Sequence, residues 1–205
     1  MSVNYKLDTF VNSSHRLITN MVREDCIVLD VGCASGYLAD ILRTEKKCVV
    51  YGVEIDPEKA SRAEKSCKQV FLGDVDSLQL PEIYLGFFDC IIFADILEHT
   101  KNPETIPTRY SQYLKNTGYM IVSLPNVAYW LIRLKLLFGR FDYTDCGIMD
   151  KTHLRFFTIK SAFEMIEKCN LEVIDIKYPG RIIHYIKIFP SLFAYQTLLL
   201  CRLKQ

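Results

Sequence analysis

Between residues 26 and 126 the chain alternates short, unbroken apolar runs with segments of helical periodicity, and that rhythm narrows the folds open to it. The runs are CIVLDVG (26–32), CVVYGVEID (48–56), QVFLGD (69–74), FDCIIFAD (88–95) and GYMIVSLPN (118–126). They are rich in Val, Ile and Phe and do not alternate apolar with polar residues. Strands of that kind are buried on both faces, as in a parallel sheet covered by helices. The helical partners carry boundary signals of their own. Ser13–Ser14 offers a cap to a segment presenting Leu17, Ile18 and Met21 on one face, and a second helix is expected from Gly36 with Leu38, Ile41 and Leu42 inward. Asp56-Pro57-Glu58 joins an N-cap to a first-turn proline and an acid that the helix dipole favours. A crossover helix is expected from Pro103 to about Leu114, and a later one at 160–169. LEVIDIKY (171–178) and FAYQTLLLCRL (193–203) then predict an antiparallel edge hairpin. The expected fold is α/β: a doubly wound, mostly parallel seven-stranded sheet with helices on both faces and a C-terminal antiparallel hairpin, in one domain over 1–205.

Composition removes several functions. Half of the residues (50%) are apolar and 24% charged, so disorder is excluded. Twenty-five Lys and Arg balance 24 Asp and Glu, and a net charge of +1 creates no overall field toward nucleic acid or membrane. The eight cysteines include no CxxC pair, which excludes zinc-ribbon and thioredoxin-like readings. Cys90 and Cys201 sit inside apolar runs, where a thiol packs as a small hydrophobe, and a reducing cytoplasm is the expected setting. MSVNYKLDTF lacks a basic segment leading into an apolar one, and no run of about 18 apolar residues occurs. Neither a signal peptide nor a transmembrane helix is expected.

The segment Val28–Gly36, VLDVGCASG, carries a strand into a small-residue turn and then a helix. Such a turn lets backbone approach a ligand at a helix N-terminus. Ala34 and Tyr37 stand where a G-x-G-x-x-G fingerprint has its second and third glycines, which disfavours pyrophosphate. Behind the turn, acids close successive strands: Glu54, Asp74 and Asp95, with Asp30 inside the first. In an open parallel sheet these ends line one crevice. An acid closing the second strand can accept both hydrogen bonds of a ribose diol, and Asp74 can accept from an exocyclic amine. Any one of these acids reads equally well as the cap of the next helix; the set together points to a nucleoside ligand.

On these residues the chain resembles the class I S-adenosylmethionine-dependent methyltransferases. VLDVGCASGYL is similar to their first motif, VYGVEID to the second, GDV (73–75) to the adenine-side motif and FDCIIFADILEHTKNP to the fourth. The resemblance implies S-adenosyl-L-methionine as cofactor, with Asp30 near its methionine moiety and Gly32, Cys33, Ala34, Gly36 and Tyr37 shaping the turn. It places Glu54 and Ile55 at the ribose, Asp74 and Val75 at the adenine side, and Ala94 at the end of the fourth strand. Ala34 departs from the glycine that many members carry.

Further along, HLRFFT (153–158) after SLPNVAYW resembles small bacterial methyltransferases related to the ubiquinone-pathway O-methyltransferases. Relatives of this kind are often found beside glycosyltransferases in surface-polysaccharide assembly, which implies a small-molecule, glycan or lipid-linked acceptor. Transfer to a hydroxyl needs in-line placement and a proton acceptor, a task that suits an imidazole. His99, His153 and Asp95 are the catalytic candidates. Asp95, Glu98 and His99 would share one face of a helical turn. With His153 they resemble the E-x-x-E-H…H metal set of RNA-end 2′-O-methyltransferases and ubiquinone O-methyltransferases. Asp in the first place shortens the reach, and metal-free chemistry is expected. His15 and His184 have no supporting constellation and read as surface or packing residues. Two other functions stay open: an RNA-end 2′-O-methyltransferase, which the charge balance disfavours, and a non-catalytic cofactor-binding regulatory subunit.

Residues 127–145 are apolar nearly all round a helical stretch, with Arg133, Lys135 and Arg140 interspersed. Within an acceptor-side insertion over 127–157 this stretch is expected to act as a lid walled by Tyr129, Trp130, Phe141 and Tyr143. A homodimer face and a peripheral membrane contact are the alternatives.

Overall fold

In a computed structural model, which describes residues 13–180 and 183–204, the five apolar runs become parallel strands. They are β1 (Ile27–Val31), β2 (Val49–Glu54), β3 (Gln69–Leu72), β4 (Phe88–Ala94) and β5 (Leu114–Pro125). β1 pairs with β2 and β4, β2 with β3, and β4 with β5, all parallel. β6 (Leu171–Lys177) and β7 (Gln196–Leu203) form the expected antiparallel pair, and β7 lies against β5. The order β3-β2-β1-β4-β5-β7-β6 places the reversal of winding between β1 and β4, where open α/β sheets bind ligands.

Side-chain alternation along these strands feeds two cores at once. Val28, Cys90 and Ile92 pack on one face with α1 (Ser14–Met21), α2 (Tyr37–Lys46) and α3 (Pro57–Ala63), through Ile18, Leu38, Leu42 and Ala63. Leu29, Ile91 and Phe93 pack on the other with α4 (Thr105–Tyr110) and α6 (Ile159–Lys168), through Ile106, Tyr110 and Ile166. Burial on both faces is why the strands read as nearly continuous apolar runs. Asp56 caps α3 as expected, its Oδ1 accepting from the Glu58 and Lys59 amides at 2.9 and 3.2 Å.

Two expectations change. The crossover helix does not run from Pro103 to Leu114: α4 gives way to a single 3-10 turn over Ser111–Tyr113, and Leu114 already belongs to β5. The Ser111 hydroxyl donates to the Thr108 carbonyl at 2.7 Å, and the Tyr113 hydroxyl is held in the core by both the amide and the carbonyl of Leu80. These bonds compete with continued helix. The 127–145 stretch is also shorter as a helix, since α5 covers only Trp130–Leu137. After β6 come α7 (Ile183–Ile188) and α8 (Pro190–Phe193). The N-terminal segment in which no leader was expected lies outside the described residues, and the side chain of His184 is likewise not described. Among the described residues no helix is long and apolar enough to cross a membrane.

Gly52 in β2 ties the fold to the site. A Cβ there would stand 2.5 Å from the Cys33 sulfur and 3.4 Å from that of Cys67, directly behind the turn that follows β1. Gly52→Ala should therefore lower stability by about 1–3 kcal/mol through overpacking. Urea denaturation measures it, and Cys33→Ala in the same background should recover part of the loss. An unchanged midpoint for Gly52→Ala would contradict this packing.

Candidate functional site

The turn after β1 is built from positive-φ residues, Gly32 (79°), Ala34 (47°) and Gly36 (79°). A side chain at Gly36 would meet the Ala63 backbone at 2.8 Å, and one at Gly32 would meet Ile96 at the same distance. Ala34 therefore occupies a left-handed conformation that costs about 1–2 kcal/mol for a residue with a Cβ. What holds the turn is β2. The amides of Gly32 and Cys33 donate to the Val53 carbonyl at 2.8 and 3.0 Å, and the Ala34 amide donates to Glu54 Oε2 at 2.9 Å. Glu54 Oε1 accepts from the amides of Ile55 and Asp56 at 3.0 and 2.9 Å. A carboxylate has about four acceptor positions, and three are taken. The bidentate ribose contact expected of Glu54 narrows to about one hydroxyl while the Ala34 bond is kept.

The crevice over these strand ends is lined by Gly32, Glu54, Ile55, Asp74, Val75 and His99, among others. Asp74 also caps its own turn, accepting from the Asp76 amide at 2.8 Å. Tyr37 opens α2 and sets its ring against His15, with centroids 5.5 Å apart. The Cys33 thiol is buried; its neighbour Cys67, then burial, hold it protonated, and what Cys33 adds to the turn is backbone. Ala94 ends β4 beside Ser123. Asp30 is buried in β1, and burial first, the charge of Glu54 second, push its carboxyl up to about 7.

Asp95 does not join Glu98 and His99 on one face. Its backbone is left-handed (φ 54°) and Leu97–His99 form a 3-10 turn, so the helical spacing on which convergence depends is absent. Asp95 Oδ1 instead accepts from the Ser123 hydroxyl at 2.7 Å and from the Gln196 side-chain amide. Neither partner was anticipated, and the one available signal was a polar residue inside the β5 apolar run.

Glu98, His99 and His153 do come together. The Leu154 and Arg155 amides donate to the Glu98 carbonyl at 2.8 and 3.0 Å, which docks the HLRFFT segment against the turn after β4. His153 Nδ1 lies 3.1 Å from the Ile148 carbonyl, and His99 Nδ1 lies 3.2 Å from the Thr152 carbonyl. A carbonyl only accepts, so each neutral ring keeps its proton on Nδ1 and its lone pair on Nε2. His153 Nε2 stands 4.0 Å from Glu98 Oε1, and the rings of His99 and His153 are 4.7 Å apart. Glu98 is buried with its Oε2 unpartnered; burial, then Asp95, raise its pKa well above the usual carboxylate range. Burial, then His99, lower that of His153. Three acceptors thus converge with no donor among them. A proton on Glu98 reconciles them, and so does a divalent ion, for which the three residues offer one ligand atom each within 4.8 Å of one another.

The family model described as "Methionine biosynthesis protein MetW" matches residues 12–199. The chain belongs to this family. It is 28% identical over 109 residues to (S)-coclaurine N-methyltransferase of Papaver somniferum, covering 49% of this chain and 30% of that protein. It is 27% identical over 168 residues to the ubiquinone biosynthesis O-methyltransferase of Idiomarina loihiensis, covering 79% of this chain and 67% of that protein. The chain thus spans under a third of the first of these relatives. A solved S-adenosylmethionine-dependent methyltransferase from Methanosarcina mazei superposes with a TM-score of 0.66 at 18% identity, over 94% of this chain and all of that one. At that identity the likeness shows the fold: the Rossmann-like sheet of the class I methyltransferases.

In this MetW-family chain Asp30 gives a pH test of the site without any acceptor. Its folded-state pKa is raised to about 7, so between the unfolded value near 4 and that value the folded state holds the extra proton. Stability then falls as pH rises through this window, by up to about 4 kcal/mol. Asp30→Asn should remove that slope. Urea denaturation of both proteins at pH values on either side of the window checks it; parallel profiles would contradict the shift.

Proposed function

We propose that the protein transfers the methyl group of S-adenosylmethionine to an oxygen of a small-molecule, glycan or lipid-linked acceptor in the cytoplasm. The observation that carries this reading is the crevice itself, where Glu54 and Asp74 follow successive strand ends and His99 stands in the same wall. The ribose belongs beside Glu54 and Ile55, the adenine beside Asp74 and Val75, and the methionine moiety near Asp30, the Gly32–Gly36 turn, Tyr37 and Ala94. Bound there, the sulfonium supplies the methyl group. In that transfer His99 Nε2 would take the proton that the acceptor hydroxyl releases. Thr152 supports that role by holding the His99 Nδ1 proton. His153 and the protonated Glu98 stand behind it, Asp95 borders the acceptor side with Ser123 and Gln196, and the 127–157 segment covers the acceptor.

The spacing of the three ligand atoms and the orphaned Glu98 Oε2 favour a variant in which Glu98, His99 and His153 hold a divalent ion that acidifies the hydroxyl. A non-catalytic reading has one observation behind it, the family description as a methionine biosynthesis protein. A subunit that senses S-adenosylmethionine would need the crevice but not the histidines.

Calorimetric titration with S-adenosylhomocysteine tests the cofactor assignment. Glu54→Gln should weaken binding by roughly ten- to a hundredfold, the range for a hydrogen bond to a charged group. An unchanged affinity would remove the ribose from Glu54. Chelation then separates the mechanisms: EDTA leaves turnover intact if His99 acts alone as base, and abolishes it if the three residues hold an ion. His99→Ala with full turnover would overturn both.

A further inference from the structure

The segment after β5 leaves a surface that the fold does not cover. In α5 only Ile132 is buried, against Ile148 and Met149. Trp130, Leu131, Leu134, Leu136 and Leu137 face solvent, and Leu137 and Phe138 at the helix end are 78% and 74% exposed. A contiguous apolar patch of this kind marks a binding surface. Gly139 follows the helix at φ 70°, and a side chain there would meet nothing within 4 Å. Arg133 ties α5 to the C-terminal segment, donating to the Ser191 carbonyl at 3.2 Å.

Charge decides what this face fits. Residues 127–143 hold Arg133, Lys135 and Arg140 against one acid, Asp142, and Asp142 pairs with Arg140 at 2.8 Å. Among the described residues neither Arg133 nor Lys135 has a carboxylate within ion-pair distance, Arg133 donating to the carbonyls of Ala128 and Ser191. We propose that α5 and the turn after it dock on an anionic lipid surface, a partner chosen by the geometry of this face and independent of whether the crevice transfers methyl groups. A second copy fits poorly, because two-fold pairing would bring unpaired Arg133 and Lys135 of both copies together. A groove on another protein takes a helix by one apolar stripe, whereas the exposed side chains here spread round most of the axis. Immersion of an apolar tip at the boundary of headgroups and acyl chains covers such a helix, with Trp130 at the interface and the two cations reaching the phosphates. The face is also continuous with the candidate site: Phe141 and Tyr143 contact Phe156, whose ring lies 6.2 Å from that of His153.

Co-sedimentation of the full chain with phosphatidylcholine vesicles, with and without about one third phosphatidylglycerol, tests the docking. Roughly tenfold more protein should sediment with the anionic vesicles, and added salt should weaken binding. Leu137→Glu with Phe138→Glu should abolish it, and Arg133→Glu with Lys135→Glu should remove the preference for anionic lipid. Arg133, Leu137 and Phe138 are exposed and Lys135 is half-buried, and unchanged circular dichroism and S-adenosylhomocysteine affinity confirm that the fold survives in both variants. The proposal is overturned by no binding to anionic vesicles, by equal binding to both compositions, or by binding that the tip variant retains. A dimer in solution that Phe138→Glu converts to monomer would instead assign the face to a second copy. A protein partner lost from the same variant, with vesicles ignored, would assign it to that partner.

Discussion

Glu54 closes β2 with a carboxylate almost wholly withdrawn from water, and its three amide partners belong to two different loops. Charged acceptors of this kind contribute about 1.5–3 kcal/mol per bond, and an unpaired carboxylate at the same depth would be strongly unfavourable. The bonds therefore fix the turn after β1 relative to the end of β2. They also keep Ala34 in a conformation its side chain resists. The crevice is shaped by this clasp, and the raised pKa of Asp30 follows from sharing the same dry pocket.

The opposite wall depends on a second long-range join. Amides of Leu154 and Arg155 close on the Glu98 carbonyl, and Thr152 and Ile148 then orient two imidazoles toward one buried carboxyl. The strained backbone at Asp95 makes room for this by turning the chain out of helix directly after β4. Acidic, imidazole and apolar components of the site thus come from segments that only the sheet brings together. Phe141 and Tyr143, which follow α5, pack on Phe156 beside His153, so the segment after β5 joins this wall.

Much of the fold could be read from residues because burial on both faces leaves a direct mark: five strands, the Asp56 cap and the terminal hairpin all appear where apolar runs and turn residues place them. The places of Glu54 and Asp74 in the crevice wall were legible for the same reason, since strand order fixes which strand ends face it. The failures share a different cause. Tyr113 ends the crossover helix through a bond to Leu80, and Asp95 leaves its neighbours through one left-handed residue. Neither the partner nor the dihedral is written in local spacing. The Glu54 clasp was invisible too, because its partners are backbone amides whose positions exist only once the turn has formed.

A crystal structure with S-adenosylhomocysteine tests the central claim most directly. The expected result is the ribose beside Glu54, the adenine beside Asp74 and Val75, and the sulfur facing the His99 side of the crevice, with the Ala34 turn little moved. A ligand bound elsewhere, or a crevice that stays without it at saturating concentration, would contradict the cofactor assignment and every role built upon it.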